Sequence, residues 1–289
     1  MREGHRPTVV VGASVAGLYA AYHLAAAGRP VRVYEAQRDF APDRRTLIVT
    51  PAWLRLLDFD PEPAVLNRTR VFELMSPSAS VRIPLTEPDV ILERALFMRL
   101  LRRRVREVGG QVHLAHRCHG LAEEDASLLL RFHNGRGPEL LPAATVIGAD
   151  GAHSRVARGM GADGHPRVTI RQARVPLPAD QPADTVRVWF DRASTRFFIW
   201  LIPESPQTGV AGLIAGTPRQ AERGLDRFLT AHDLQPMAYQ AASVPLHRFT
   251  PRSSGSTDSG EVLLVGDAAG QVKVTTVGGM VTGMRGAAA

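Results

Sequence analysis

Three short segments combine small residues with a serine or a carboxylate at spacings that suit a dinucleotide. Gly12-Ala-Ser14-Val15-Ala16-Gly17 follows an apolar run, Thr8 to Val11, and opens a stretch of small and apolar residues, Ala13 to Ala27. A glycine turn between a strand and a helix aims free N–H groups and the positive end of the helix dipole at a pyrophosphate. Gly12 allows the tight turn, and Gly17 allows close helix–strand packing. Ser14 stands where the pattern expects its second glycine, and it is small enough for a phosphate to approach. Glu35 closes a second apolar run, Val31 to Glu35, with Ala36 after it. An acid at that distance bonds a ribose hydroxyl and disfavours a 2′-phosphate, so the unit predicts FAD or NAD rather than NADP.

The second segment is Gly148-Ala-Asp150-Gly151, at the end of the apolar run Val146 to Ala149 and before Ser154 and Arg155. Its residues alone favour a turn with a capped helix. The third is Val265-Gly266-Asp267-Ala-Ala-Gly270. It reads as a strand-to-helix turn, or as a carboxylate placed to bond a polyol such as ribityl.

The elements that must position these segments follow from periodicity. Thr8 to Val11, a helix Ala13 to Ala27 closed by Gly28, and Val31 to Glu35 make a βαβ unit. Ile91 to Val108 reads as a helix closed by Gly109-Gly110, and Gln111 to Ala115 as a strand. Leu128 to Phe132 and Glu139 to Leu141 flank Asn134-Gly135, a hairpin signal. A β-meander at about 111–145 therefore interrupts a parallel sheet. From Pro166 to Leu246 the texture changes. Thr185 to Phe190, Arg196 to Leu201 and Gly209 to Ile214 read as strands, with one helix, Arg219 to Ala231. Ser253 to Gly260 reads as a polar link, and Glu261 to Val265 returns to the parallel sheet. The fold class expected is α/β. A Rossmann-like FAD-binding domain, 1–165 plus 253–289, carries an inserted, mostly antiparallel substrate-binding sheet domain, 166–252.

In their order the three segments resemble the flavoprotein monooxygenase superfamily, the para-hydroxybenzoate hydroxylase fold, over essentially the whole chain. The resemblance implies an FAD-dependent oxidoreductase in which Asp150 and Gly151 contact FAD and, transiently, NADH or NADPH. It implies Asp267 at the ribityl–pyrophosphate region. Leu92-Glu-Arg94-Ala-Leu-Phe97 is similar to the family segment whose arginine lies near FAD, which carries over Arg94; Arg45, in Arg-Thr-Leu-Ile, is a further cofactor candidate.

A narrower resemblance is to the geranylgeranyl reductases. Gly266 to Met280 is similar to their flavin loop, which implies that the backbone of Gly278, Gly279 and Met280 faces the isoalloxazine. Phe198-Ile-Trp200-Leu-Ile202-Pro203, with Gly212 beyond, resembles their aromatic-x-Trp-x-Phe-Pro strand. Trp200 is either a core residue of the sheet or the wall of a cavity for an isoprenoid chain. The implied activity is hydride transfer from reduced flavin to a prenyl C=C bond. A hydroxylase or halogenase of the same fold is the second reading, since Phe198 to Pro203 also resembles the halogenase Trp-x-Trp-x-Ile-Pro. The third is a truncated, non-catalytic flavin-binding protein, because the chain stops at Gly286-Ala-Ala-Ala289 where family members continue.

Composition sets the outer limits. The 289 residues carry a formal charge of +7, and Lys273 is the single lysine. No apolar run reaches the ~18 residues of a membrane span, and no HExxH or CxxC marks a metal site. Arg99, Arg102, Arg103, Arg104 and Arg106 share one predicted helix. They read as a solvated face or as a patch attracted to anionic lipid. Without interleaved aromatic residues they do not suggest nucleic acid. Arg171, Arg174 and Arg187 read as solvated surface residues or as receptors for a diphosphate. The partner expected is an apolar small molecule or lipid, with peripheral membrane contact. A lone cysteine, Cys118, excludes an internal disulfide and suits a cytoplasmic protein, at the inner membrane surface if it binds lipid.

Overall fold

A computed structural model describes residues 7–40, 45–124, 127–162, 164–247, 253–257, 259–273 and 275–289. Val274 of the glycine-rich loop and the 248–252 end of the expected second domain lie outside them. The described residues form two compact units. One draws on Met1–Pro42, Met98–Pro166 and Pro245–Ala289, the other on Asp43–Phe97 and Arg167–Val244.

In the first unit a six-stranded sheet, counted among the described residues, runs in the order Ser254–Thr257, Gly260–Leu264, Thr145–Gly148, Thr8–Val11, Val31–Tyr34, Gln111–His113. Every pair is parallel except the outermost, Ser254–Thr257 against Gly260–Leu264. Strands buried on both faces read as unbroken apolar runs, and Val9, Val10 and Val11 are almost wholly buried. The helix Val15–Ala26 is buried nearly all round and packs against the helix Met280–Ala288. Arg117–Glu124, Ser127–Asn134 and Gly137–Ala143 form a separate antiparallel meander.

In the second unit eight strands lie in the order Ala238–Pro245, Arg167–Pro176, Thr208–Ala215, Ile199–Pro203, Thr185–Trp189, Val65–Ser76, Ala79–Glu93, Thr46–Val49. Thr185–Trp189 and Val65–Ser76 are parallel. Successive side chains alternate between the faces. Ile199, Leu201, Ala211 and Leu213 point to one face and form a core with Leu225 and Phe228 of the helix Pro218–Ala231. Trp200, Val188 and Gly212 are register neighbours on the other face.

Several expectations are corrected. The segment Asp43–Phe97, assigned above to the first domain, belongs to the second unit, because three of its strands are hydrogen-bonded into the eight-stranded sheet. The long hairpin Val65–Ser76/Ala79–Glu93 was not read at all; prolines at 84 and 88 and polar interruptions hide its alternation. Ile91 to Glu93 ends that hairpin, so the helix begins at Arg94. Gln111–His113 joins the parallel sheet rather than the meander. The expected strand at Arg196 is observed at Ile199–Pro203, and part of the expected polar link is the strand Ser254–Thr257.

Cys118 sits in the first meander strand, and burial pushes its thiol up from 9.0 to about 11. The unfolded thiol ionises first, near pH 8.5. The folded state therefore loses stability as pH rises from there toward the folded value. Cys118→Ala should flatten the alkaline arm of a stability–pH profile measured by urea unfolding. Leu225 is fully buried in the second core; Leu225→Ala is expected to cost about 2–5 kcal/mol in the same assay.

Candidate functional site

In the first unit, the parallel register puts Val11 beside both Tyr34 and Gly148, and Gly148 beside Leu264. The ladder then continues one residue past the strands. Gly12 N–H donates to the Tyr34 carbonyl at 2.8 Å, Ala149 N–H to Val11 at 2.8 Å, and Val265 N–H to Gly148 at 2.9 Å. The three predicted segments thus leave the sheet side by side at its carboxyl edge, where open α/β sheets bind ligands.

Close approach at this edge explains the glycines. Gly12 has φ +99, and a β-carbon there would lie 2.5 Å from the Ala149 carbonyl oxygen and 2.9 Å from the Asp150 α-carbon. A β-carbon on Gly17 would meet the Ala149 methyl at 2.7 Å. One on Gly266 would lie 3.0 Å from the Ala16 methyl, and one on Gly279 2.7 Å from Asp267 Oδ1. The structure therefore gathers Gly12, Ala16, Gly17, Asp150, Gly266, Asp267 and Gly279 in one unit. Ser14 caps the first helix, its hydroxyl accepting the Gly17 N–H at 3.2 Å. Val15 opens the helix, and Met280 opens the last one, with Gly279 as its N-cap and Gly278 before it.

Glu35 turns back toward the glycine turn. Its carboxylate accepts the Ala13 N–H at 2.8 Å and the Gln37 N–H at 2.9 Å, with Ala36 between. Beneath it the Tyr34 ring stacks on His113 and Phe132, at 4.9 Å from each. Burial, then the neighbouring His116, hold His113 below the usual imidazole range. The Asp150 carboxylate accepts the Ser154 hydroxyl and the Arg155 and Val156 N–H groups, and so braces the start of the short helix Arg155–Gly159, whose N-cap is Ser154. Gly151 has φ +81 with open space around its α-carbon.

Arg45, Arg94 and Trp200 belong to the second unit. Arg94 N–H donates to the Arg45 carbonyl at 2.9 Å, and the adjacent Glu93 carboxylate accepts from the Ala95 and Leu96 N–H groups. Trp200 is 9% exposed, and a β-carbon on Gly212 would sit 2.6 Å from its indole carbons. Gly212 therefore makes room for the ring. Arg171, Arg174 and Arg187 are half-buried and paired: Arg171 with Glu222, Arg174 with Glu204, and Arg187 with Glu73 and Asp180. On the basic helix, Arg102 lies over the Phe40 ring and Arg104 over Tyr22, while Arg103 and Arg106 are exposed.

Sequence reasoning gave no role to Gln271 or Val277. The Gln271 side chain accepts the Gly266 N–H at 2.7 Å and so clamps the turn that carries Asp267; its signal was a polar side chain directly after that turn. Val277 is buried with φ +48. A left-handed β-branched residue leaves no trace in the sequence.

A parallel sheet whose carboxyl edge carries a glycine turn, an acid at the second strand and a Gly-Asp turn defines the class of dinucleotide-binding α/β proteins. The chain belongs to the FAD binding domain family, whose model matches residues 5–289. It is a flavin-dependent oxidoreductase, similar in sequence to geranylgeranyl reductases. It is 25% identical to digeranylgeranylglycerophospholipid reductase 1 of Methanothermobacter thermautotrophicus, covering 96% of this chain and 74% of that one. A crystal structure of a geranylgeranyl bacteriochlorophyll reductase-like protein from Thermoplasma acidophilum shares the fold with TM-score 0.86 at 20% identity, covering 97% and 75% of the two chains. The fold is also that of a flavin-dependent halogenase, with TM-score 0.74 at 18% identity over 99% and 56%.

Gly12→Ala combines a positive φ with a backbone clash, whereas Gly151→Ala meets open space. The first should cost clearly more stability than the second, which is expected near the ~1–2 kcal/mol of a left-handed alanine. Urea unfolding of both variants measures the difference.

Proposed function

We propose that this protein reduces C=C bonds of an isoprenoid chain, with FAD as its cofactor and NADH or NADPH as electron donor. The convergence of the three segments at one sheet edge supports the FAD site. The turn at Gly12 leaves no room for a side chain, and the first-turn N–H groups of the helix beyond it have no partner within that helix. That cradle suits a pyrophosphate. Glu35 would hold the ribose hydroxyls. Asp267 would hold the ribityl–pyrophosphate region, and the backbone of Gly278 to Met280 the isoalloxazine. Arg45, Arg94 and the Asp150–Gly151 turn are further contacts in this proposal, the last of them for the nicotinamide as well.

Reduced FAD, when bound, supplies the hydride. The chain's own contribution is to hold the alkene, exclude water and deliver a proton to the second carbon. The row Leu74, Val188, Trp200 crosses the face of the second sheet opposite its helix-packed core. This apolar wall suits a hydrocarbon tail, and the similarity to a reductase of a prenylated lipid supports that substrate class. Since Arg171, Arg174 and Arg187 are already neutralised by carboxylates, a diphosphate on the substrate has no free receptor among these three. Peripheral lipid contact falls to the exposed Arg99, Arg103 and Arg106. No helix among the described residues is long and apolar enough to cross a membrane.

The test is anaerobic. Protein reconstituted with FAD and given NADH or NADPH is incubated with a geranylgeranyl lipid, and products are read by mass spectrometry. Each reduced bond adds two hydrogens, one as hydride and one as proton. Turnover that needs oxygen and inserts it would establish the hydroxylase or halogenase reading instead. Protein that stays colourless when FAD is added would establish the non-catalytic one. Trp200→Ala is expected to raise KM for the lipid several-fold with a smaller change in kcat, because it removes apolar surface common to ground and transition state.

A further inference from the structure

Two histidines outside the predicted site hold the turn Gly266–Gly270. A carbonyl oxygen only accepts, so the 3.1 Å approach of His247 Nδ1 to the Gly270 oxygen requires the proton on Nδ1. The same oxygen accepts the Val272 N–H at 2.9 Å, which occupies its second lone pair. At the Gly270 α-carbon, the His165 ring nitrogens lie 2.7 Å from where a β-carbon would stand. Gly270 has φ +63, so glycine permits both the backbone turn and the packed imidazole.

The two histidines occupy the segments by which the chain leaves and re-enters the first unit. Those segments are joined beside them, Leu246 N–H donating to the Pro166 carbonyl at 2.7 Å. The turn is closed internally by Gly270 N–H to the Asp267 carbonyl at 3.2 Å and by Gln271 N–H to Gly266 at 3.0 Å. A displacement of Gly270 therefore moves Asp267, whose carboxylate lies beside Gly279 at the start of the last helix.

We propose that His247, with His165 packed against the same glycine, is a positioning residue for the flavin dinucleotide. It fixes the Gly270 carbonyl and through it the Asp267 carboxylate. This rests on the FAD reading above and adds two residues to it.

The test compares His247→Leu with His247→Asn in the full chain. Asparagine keeps an N–H donor near the place of Nδ1; leucine does not. FAD is titrated by fluorescence quenching, and the visible absorption band of the bound flavin is recorded. His247→Leu is expected to weaken FAD binding about fivefold, the order of one net hydrogen bond, and to shift the band. His247→Asn is expected to retain both wild-type properties. Equal losses in the two variants, or wild-type behaviour in both, would overturn the proposal. A simple loss of folded protein would lower the competent fraction without moving the band of the flavin that binds.

A second pair checks the packing. Gly270→Ala should lose affinity, and His165→Ala added to it should recover part of the loss by vacating the space; no recovery counts against His165. Wild-type protein that binds FAD, with variants that depart from these expectations, overturns the positioning role alone. Wild-type protein that never takes up FAD overturns the FAD reading, and this proposal with it.

Discussion

Close backbone approach at the carboxyl edge of the parallel sheet is the constraint on which the site depends. With Gly12 bonded to Tyr34 and Ala149 to Val11, the turn at Gly12 runs so close to Ala149 that a β-carbon on Gly12 would lie 2.5 Å from the Ala149 carbonyl oxygen. The first helix must then enter close enough for Gly17 to meet Ala149, and the last helix close enough for a β-carbon on Gly283 to lie 3.1 Å from the Gly266 α-carbon. Each glycine licenses the next approach. The loops end up adjacent because sheet register and missing β-carbons leave them nowhere else to go.

This part of the fold was legible because it is local. Thr8 to Gly17 and Val31 to Glu35 form one contiguous βαβ unit, and its apolar runs, glycines and acid lie within ~30 residues, the span of such a unit. The second unit was less legible because its pairing is not local. Thr185–Trp189 lies beside Val65–Ser76, more than a hundred residues earlier, and no pattern within either strand announces the partner. The same loss explains why Asp43–Phe97 was put in the wrong domain. The ion pairs of Arg174 and Arg187 are hidden for a related reason. Their carboxylate partners, Glu204 and Glu73, are distant in sequence, so their pairing cannot be seen from composition.

The two faces of the second sheet divide its tasks. Ile199, Leu201, Ala211 and Leu213 are held by a helix whose Leu225 and Phe228 fill the core between them. That face fixes the strands. The other carries Trp200, and Gly212 opposite it is the omission that lets an indole lie flat in a buried strand pair. Its indole N–H is buried and makes no hydrogen bond among the described residues. An unpaired buried donor is costly to keep, and a sheet selected for stability alone would favour phenylalanine there.

Glu35 shows how the edge is prepared before any ligand arrives. A carboxylate offers about four acceptor positions, and two are taken by the N–H groups of Ala13 and Gln37. These bonds hold the acid against the glycine turn, so its direction is fixed during folding. The positions left over suit a vicinal diol. Ordering an acid in this way moves its entropic cost from binding to folding. The strand end and the glycine turn therefore work as one preorganised element, although they come from opposite ends of the first helix.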